Sequence, residues 1–186
     1  MLSAWVVTAV LGGWWLIEIS YLRRRSTAPS RSWDKGSSRA WDVAHGIQLV
    51  GMLVGFLGVG GIDGASAGVQ VSGLGLVLAG ITIRWKAIYT LGKLFTGRVQ
   101  IQEGHILVRS GPYSRLRHPA YAGSLIAHLG IGLAFANWWT LASSVLPYLV
   151  AVIYRIHVEE TALEAAFGPA YEEYARTTRR LVPWVY

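Results

Sequence analysis

The sequence predicts an all-α protein, a polytopic membrane bundle of about five transmembrane helices. Its two large polar segments, 92–118 and 155–186, share the cytosolic face and can meet there to make one site. Three observations carry this. Hydrophobic residues make up 53% of the 186 positions and charged residues only 15%, against about 25% charged in an ordinary soluble domain. The 17 Lys and Arg all fall in three blocks, Arg23 to Arg39, Arg84 to Arg117 and Arg155 to Arg180. The apolar runs between those blocks approach the roughly 20 residues that a helix needs to cross the hydrocarbon core.

The first span is Leu2 to Leu22, stopped by Arg23-Arg24-Arg25. A cleaved signal peptide would carry its cations before the apolar run, so a retained span with its N-terminus outside is expected. Residues 23–40 hold six cations, Pro29 and Gly36, and read as a loop or interfacial segment facing the cytosol. The second span runs from Val43 to Ile62. A cation-free turn, Asp63 to Gly68, follows on the outside, and the third span covers Val69 to Leu91. Arg84 and Lys86 lie in its last third and either snorkel to the interface or face a polar site. Residues 92–118 are the longest polar stretch. Pro119 suits the first turn of a fourth span, Ala120 to Phe135. Asn137 marks a tight bend. The fifth span, Trp138 to Tyr154, contains Pro147 as a kink site. From His157 to Arg180 two short amphipathic helices are expected, broken at Gly168-Pro169. The whole chain, 1–186, reads as one membrane domain, with three spans in 1–91 and the catalytic half in 92–186.

Glycines spaced as Gly51 and Gly55, and those from Gly73 to Gly80, predict close helix packing inside the bundle. The net charge of +7 does not indicate nucleic acid. Its distribution follows the positive-inside rule, which puts each basic block on the cytosolic face of a cell membrane. The chain has no Cys, so a thiolate nucleophile and a thiolate metal site are both excluded. His105, His118 and His157 match no compact metal motif, so no metal is expected. His45 and His128 lie in apolar runs and read as packing or inter-helix hydrogen-bond residues.

Three clusters carry chemistry. They are His105-Ile106-Leu107-Val108 with Gly111-Pro112-Tyr113, then Arg117-His118-Pro119-Ala120-Tyr121, and then Arg155-Ile156-His157-Val158-Glu159-Glu160. Ionisable groups at membrane depth are costly and tend to be functional. Arg155 and Glu159 are four apart and share a helix face. An Arg clamps a carboxylate through two N–H groups, and a Glu holds an ammonium or accepts from a ribose. The set suits a zwitterionic or mixed-charge ligand. Neither a P-loop nor a GxGxxG turn is present. Arg155 and Glu160 are the candidate catalytic residues.

The segments HILVRSGPYSRLRHPAYAG and RIHVEETALEAAFGPAYEEYARTTRRLVPW resemble the isoprenylcysteine carboxyl methyltransferase family of membrane enzymes. The resemblance covers about residues 90–184. It implies a site for S-adenosyl-L-methionine at the cytosolic face. On that basis Gln100, His105, Ile106, Leu107, Val108, Gly111, Tyr113, Arg117, His118, Pro119, Tyr121 and Glu159 are expected to bind the cofactor. Gln102 competes with Gln100 for its role. Arg155 is expected to hold the carboxylate of a hydrophobic, prenyl-like acceptor that reaches the site from the bilayer. The short chain looks like a prokaryotic relative, a monomer or weak homodimer among membrane lipids, and its acceptor is a carboxylate or a thiol. Two other readings stay open: a membrane oxidoreductase of the sterol reductase type using a nicotinamide cofactor, and a non-catalytic transporter or scaffold.

Overall fold

The structure, a computed structural model, describes residues 2–23 and 30–181. Arg24 and Arg25 of the first stop signal, Pro29, and residues 182–184 of the resembling segment lie outside the described residues. The elements run α1 (Leu2–Arg23), β1 (Ser30–Ser32), α2 (Ser37–Phe56), α3 (Ala67–Leu91), β2 (Gln100–Gln102), α4 (Pro119–Phe135), α5 (Trp138–Phe167) and α6 (Pro169–Thr177). One-turn 3₁₀ helices occupy Gly92–Leu94 and Gly111–Ser114.

The chain is a polytopic helical bundle. Three helices, α1, α3 and α5, are long and apolar enough to cross a membrane. The apolar α4 is shorter, at 17 residues, and the 20-residue α2 carries Arg39 and Asp42 in its first turns. Large apolar side chains point outward, among them Trp15, Leu49, Leu53, Val71 and Val150. In water this surface would be a liability, and in lipid it is the solvated face.

Three boundaries differ from the sequence expectation. The second helix starts at Ser37 and ends at Phe56, both six residues early. Asp34 supplies its N-terminal hydrogen bonds, and Gly58 and Gly60, both at φ +77°, turn the chain after it. The fifth helix does not end at Tyr154 but continues through Pro147 to Phe167. Its extension keeps a packing face, since Val158 and Ala162 are buried against Val99, with Trp33 and Ile101 alongside. The break at Gly168-Pro169 is where expected, with Gly168 at φ +51° and Pro169 opening α6. The third difference is a small antiparallel ribbon within segments expected as loop. Strand β1 pairs with β2, Ser30 opposite Gln102 and Ser32 opposite Gln100. Trp33 N–H extends the pairing to Val99 O at 2.9 Å. This ribbon brings the loop after α1 to the end of α5.

The bundle core joins four helices through Val7, Met52, Val77, Ile131 and Ala134. Arg84 neither snorkels nor lies free. It is buried, paired with Glu18 of α1, and donates to Ser124 Oγ (3.1 Å) and Ala120 O (3.4 Å) of α4. A buried guanidinium at this depth persists because it is paired. His128 stacks on Tyr148 at 3.7 Å between centroids, and its Nδ1 bonds Ser124 O (2.7 Å). His45 Nδ1 likewise bonds Trp41 O (2.8 Å). Asn137 builds the bend before α5 by accepting from Thr140 N–H and donating to Val59 O.

Small residues let α3 and α4 approach closely. A methyl group on Gly73 would stand 2.8 Å from both Ala134 Cα and Gly130 O, backbone atoms that cannot yield. The same addition at Gly75 meets nothing within 4 Å. Gly73→Ala is therefore expected to destabilise the protein by about 1–3 kcal/mol through overpacking. Gly75→Ala is expected to stabilise it by up to about 1 kcal/mol through helix propensity. Thermal unfolding of both variants in one detergent checks this, and equal effects would contradict the close α3–α4 seam. Gly51 and Gly55 make a similar approach to α5, where Gly51 O accepts from Thr140 Oγ1 at 2.9 Å.

Candidate active site

The end of the bundle where α3, α4 and α5 leave the apolar region holds one cavity between the 92–114 segment, the first turn of α4 and the last turns of α5. Eleven of the sequence-expected residues line it: Gln100, His105, Ile106, Leu107, Val108, Tyr113, Arg117, His118, Tyr121, Arg155 and Glu159. Gln102 does not. Its side chain bonds Lys93 O instead (3.1 Å), while Gln100 faces the cavity. Gly111, Pro119 and Glu160 are also absent from the lining. Gly111 opens a 3₁₀ turn at φ +59°, and Pro119 is buried as the first residue of α4.

Arg155 and Glu159 meet through Tyr121. Arg155 Nε donates to Tyr121 Oη at 3.0 Å, and that hydroxyl donates to Glu159 Oε2 at 2.8 Å. The i, i+4 spacing on α5 sets both side chains on one face, and the first turn of α4 supplies the bridge. Arg155 also donates to Gly97 O (2.6 Å) and Ser37 Oγ (3.5 Å), and its guanidinium stands over the Trp41 ring at 5.6 Å. An Asp34 oxygen lies 3.8 Å from Arg155 Nη1.

Glu160 has a different placement from the catalytic one expected. It is the hub of an ion cluster behind the cavity wall. Its Oε1 accepts from Arg117 Nε (2.9 Å) and lies 3.3 Å from His118 Nε2, and its Oε2 accepts from Arg180 Nε (2.9 Å). Arg117 further donates to Ala175 O and Thr178 O. The main chain doubles this lock, since Arg117 N–H and His118 N–H donate to Arg179 O and Arg180 O. The segment after α6 is thereby held against the start of α4. Successive residues on a helix point about 100° apart, so Glu159 and Glu160 cannot both face the cavity. The neighbouring cations decide which one does.

Residues 105–109 run outside helix and strand, so their main-chain groups are not spent on a helix ladder. His105 Nδ1 is buried without a hydrogen-bond partner among the described residues. Burial lowers the His105 pKa below its ordinary value against the opposing pull of Glu159, which keeps the imidazole neutral at pH 7. Burial also raises the Tyr113 phenol far above its usual range. Tyr174 of α6, pushed up to about 12 chiefly by burial, closes this side by donating to Tyr113 O at 2.8 Å.

Several cavity residues carry no signal in the sequence. Phe95, Thr96, Arg98 and Val99 belong to a turn with no periodicity, and Leu163 lies on the part of α5 read as a separate helix. Asp34 and Ser37 are brought to the site by the β1–β2 pairing, by the packing of α2 on α5 and by the bond from Tyr154 Oη to Lys35 O. An isolated acidic residue in a basic loop is the one cue that points to Asp34.

Known proteins agree with this architecture. The profile of the isoprenylcysteine carboxyl methyltransferase (ICMT) family matches residues 73–165, half of the chain. A probable protein-S-isoprenylcysteine O-methyltransferase of Oryza sativa subsp. indica is 34% identical over 119 residues, covering 63% of this chain and 62% of that protein. Protein-S-isoprenylcysteine O-methyltransferase B of Arabidopsis thaliana is 36% identical over 119 residues, covering 61% and 58%. The cobalt-zinc-cadmium resistance protein CzcN of Cupriavidus metallidurans is 34% identical over 110 residues, covering 59% and 46%. The chain thus spans less than two thirds of the length of these relatives. The solved structure of a eukaryotic intramembrane Ras methyltransferase, ICMT, superposes with a TM-score of 0.65 at 24% identity, covering 80% of this chain and 53% of that one. That likeness speaks for the fold. With the family profile covering most of α3, all of α4, most of the cavity lining and the Arg155–Glu159 face, the chain belongs to the isoprenylcysteine carboxyl methyltransferase family.

Proposed function

We propose that the chain is an S-adenosyl-L-methionine-dependent methyltransferase that methylates the carboxylate of a lipophilic, prenyl-like acceptor. The observation that carries this reading is the cavity in which Arg155 and Glu159 flank Tyr121. The names of the plant relatives, O-methyltransferases acting on isoprenylcysteine, support the reaction class.

The residues present fit the cofactor. A neutral His105 with a buried Nδ1 that has no partner among the described residues, and a 105–108 main chain outside helix and strand, offer polar contacts for an amino-acid moiety. The Glu159 carboxylate suits a ligand that carries positive charge. His105 to Val108 and Glu159 would hold S-adenosyl-L-methionine, which supplies a methyl group already activated on a sulfonium sulfur.

The protein's own task is then orientation. An acceptor carboxylate is ionised at pH 7 and needs no general base. Arg155 has five N–H groups, and three of them have the partners described above. The other two, one on each terminal nitrogen, form a fork that matches two carboxylate oxygens. Phe95, Val108 and Leu163 keep water from the nucleophile. The acceptor's apolar tail stays among the helices and the cofactor arrives from water. Five helices put the three cation blocks on one face, which we take as the cytosolic face of a prokaryotic cell membrane, with the N-terminus outside.

The test is transfer of isotope-labelled methyl from S-adenosyl-L-methionine to a prenylated cysteine thioether with a free carboxylate. The expected product is a methyl ester, from which mild base releases labelled methanol. A label that resists base, formed on a thiol acceptor, would move the acceptor class from carboxylate to thiol. No transfer to either would overturn the reading.

A further inference from the structure

The loop between α1 and α2 sets one anion against the only arginine proposed to hold the acceptor. Asp34 accepts hydrogen bonds from Ser37 Oγ (2.8 Å), Ser38 N–H (3.3 Å) and Ser38 Oγ. Burial alone would raise its carboxyl pKa. The bonds from Ser38 and Ser37, with a smaller pull from Arg155, outweigh burial and keep it below the ordinary carboxylate value. Asp34 is therefore a fixed anion at neutral pH. The local bonds account for a helix cap. They do not account for its position across the molecule, 3.8 Å from Arg155 Nη1, with both side chains largely buried. That position depends on the β1–β2 ribbon and the bond from Trp33 N–H to Val99 O.

We propose that Asp34 is a specificity-determining residue, which sets how strongly Arg155 grips an anionic acceptor. This rests on the reading of Arg155 as the acceptor clamp. In the reaction an oxygen lone pair of the carboxylate forms the O–CH₃ bond while the donor's C–S bond breaks and its electron pair returns to sulfur. The negative charge of the acceptor and the positive charge of the sulfonium cancel, and a neutral ester and a neutral thioether result. A guanidinium therefore grips the acceptor most strongly before reaction and progressively less as the methyl group moves. An interaction stronger in the ground state than in the transition state slows the chemical step. Asp34 offsets part of the Arg155 charge at short range, where the surroundings screen it only in part. The fork keeps its geometry and gives up part of its electrostatic hold. Asp34 also disfavours acceptors whose only recognition element is a bare anion, because they lack the apolar tail that makes up the affinity.

Asp34→Asn tests this, since an amide oxygen in the place of Oδ2 still accepts from Ser38 N–H and Oγ, the amide NH2 in the place of Oδ1 donates to Ser37 Oγ, and the charge is gone. Asp34→Ser is a second variant that retains a capping hydroxyl. The probes are a prenylated cysteine thioether with a free carboxylate and its neutral primary amide, titrated calorimetrically into the full chain in detergent. The expected result is carboxylate binding tighter by about three- to tenfold, the worth of one partly screened charge at this range. Amide binding should not change. In turnover with S-adenosyl-L-methionine, KM and kcat for the carboxylate should both fall. Equal or weaker carboxylate binding by both variants would overturn the proposal, and so would equal tightening of the amide. Tighter carboxylate binding without methyl transfer by parent or variant would support the role of Asp34 and overturn the methyltransferase reading instead.

Discussion

Arg155→Lys is expected to lower kcat for methyl transfer to a carboxylate by about 10²-fold, the cost of setting reacting groups wrong by roughly an ångström. Lysine keeps the positive charge but presents a compact ammonium in place of a planar fork. It cannot bond Tyr121 Oη and Gly97 O as the guanidinium does and still hold two acceptor oxygens in one plane. The loss should fall on the acceptor, with affinity for S-adenosyl-L-methionine kept within a few-fold, because the Tyr121 hydroxyl stands between Arg155 and Glu159. Steady-state kinetics beside direct cofactor titration separate the two effects. Parent-level kcat in Arg155→Lys would mean that charge alone suffices and that the fork is not the orienting device. Loss of cofactor binding with turnover would assign Arg155 to the cofactor.

The second large effect concerns stability. Glu160→Ala should destabilise the fold by about 3 kcal/mol, since removing one partner of a buried pair strands the others. Arg117, His118 and Arg180 all converge on this carboxylate, whose side chain is only 9% exposed. The damage should begin at the segment after α6, which the cluster and the Arg117–Arg179 main-chain bonds hold to α4. Protease cleavage near Arg179 at temperatures well below global unfolding reads this out. Glu172→Ala is the matched control. Its pair with Arg176 is exposed on both sides, and such pairs contribute about 0–1 kcal/mol. Equal stability of the two variants would contradict the hub role of Glu160.

Much of this architecture was legible in the sequence because lipid imposes simple rules. Apolar runs located α1, α3 and α4 to within two residues, and the clustered chemistry of 105–121 and 155–160 pointed to one end of the bundle. What escaped depends on partners distant in the chain. Strands β1 and β2 are three residues each, too short for any alternation, so their pairing and the placement of Asp34 follow only from tertiary contact. Glu159 and Glu160 are chemically identical in sequence. Only the convergence of Arg117, His118 and Arg180 holds one in the cluster and leaves the other to the cavity. The length of α5 was underestimated for a related reason. Val158 and Ala162 read as part of a surface helix, yet Val99 and Trp33 come over to bury them.

The most direct test of the central claim is calorimetric titration of the detergent-purified chain with S-adenosyl-L-methionine and S-adenosyl-L-homocysteine, with NADPH as the control. Saturable binding of both adenosyl ligands without binding of NADPH is the result that the Arg155–Tyr121–Glu159 cavity predicts. Binding of NADPH alone would assign the cavity to reductase chemistry, and binding of none of the three would contradict the cofactor site altogether.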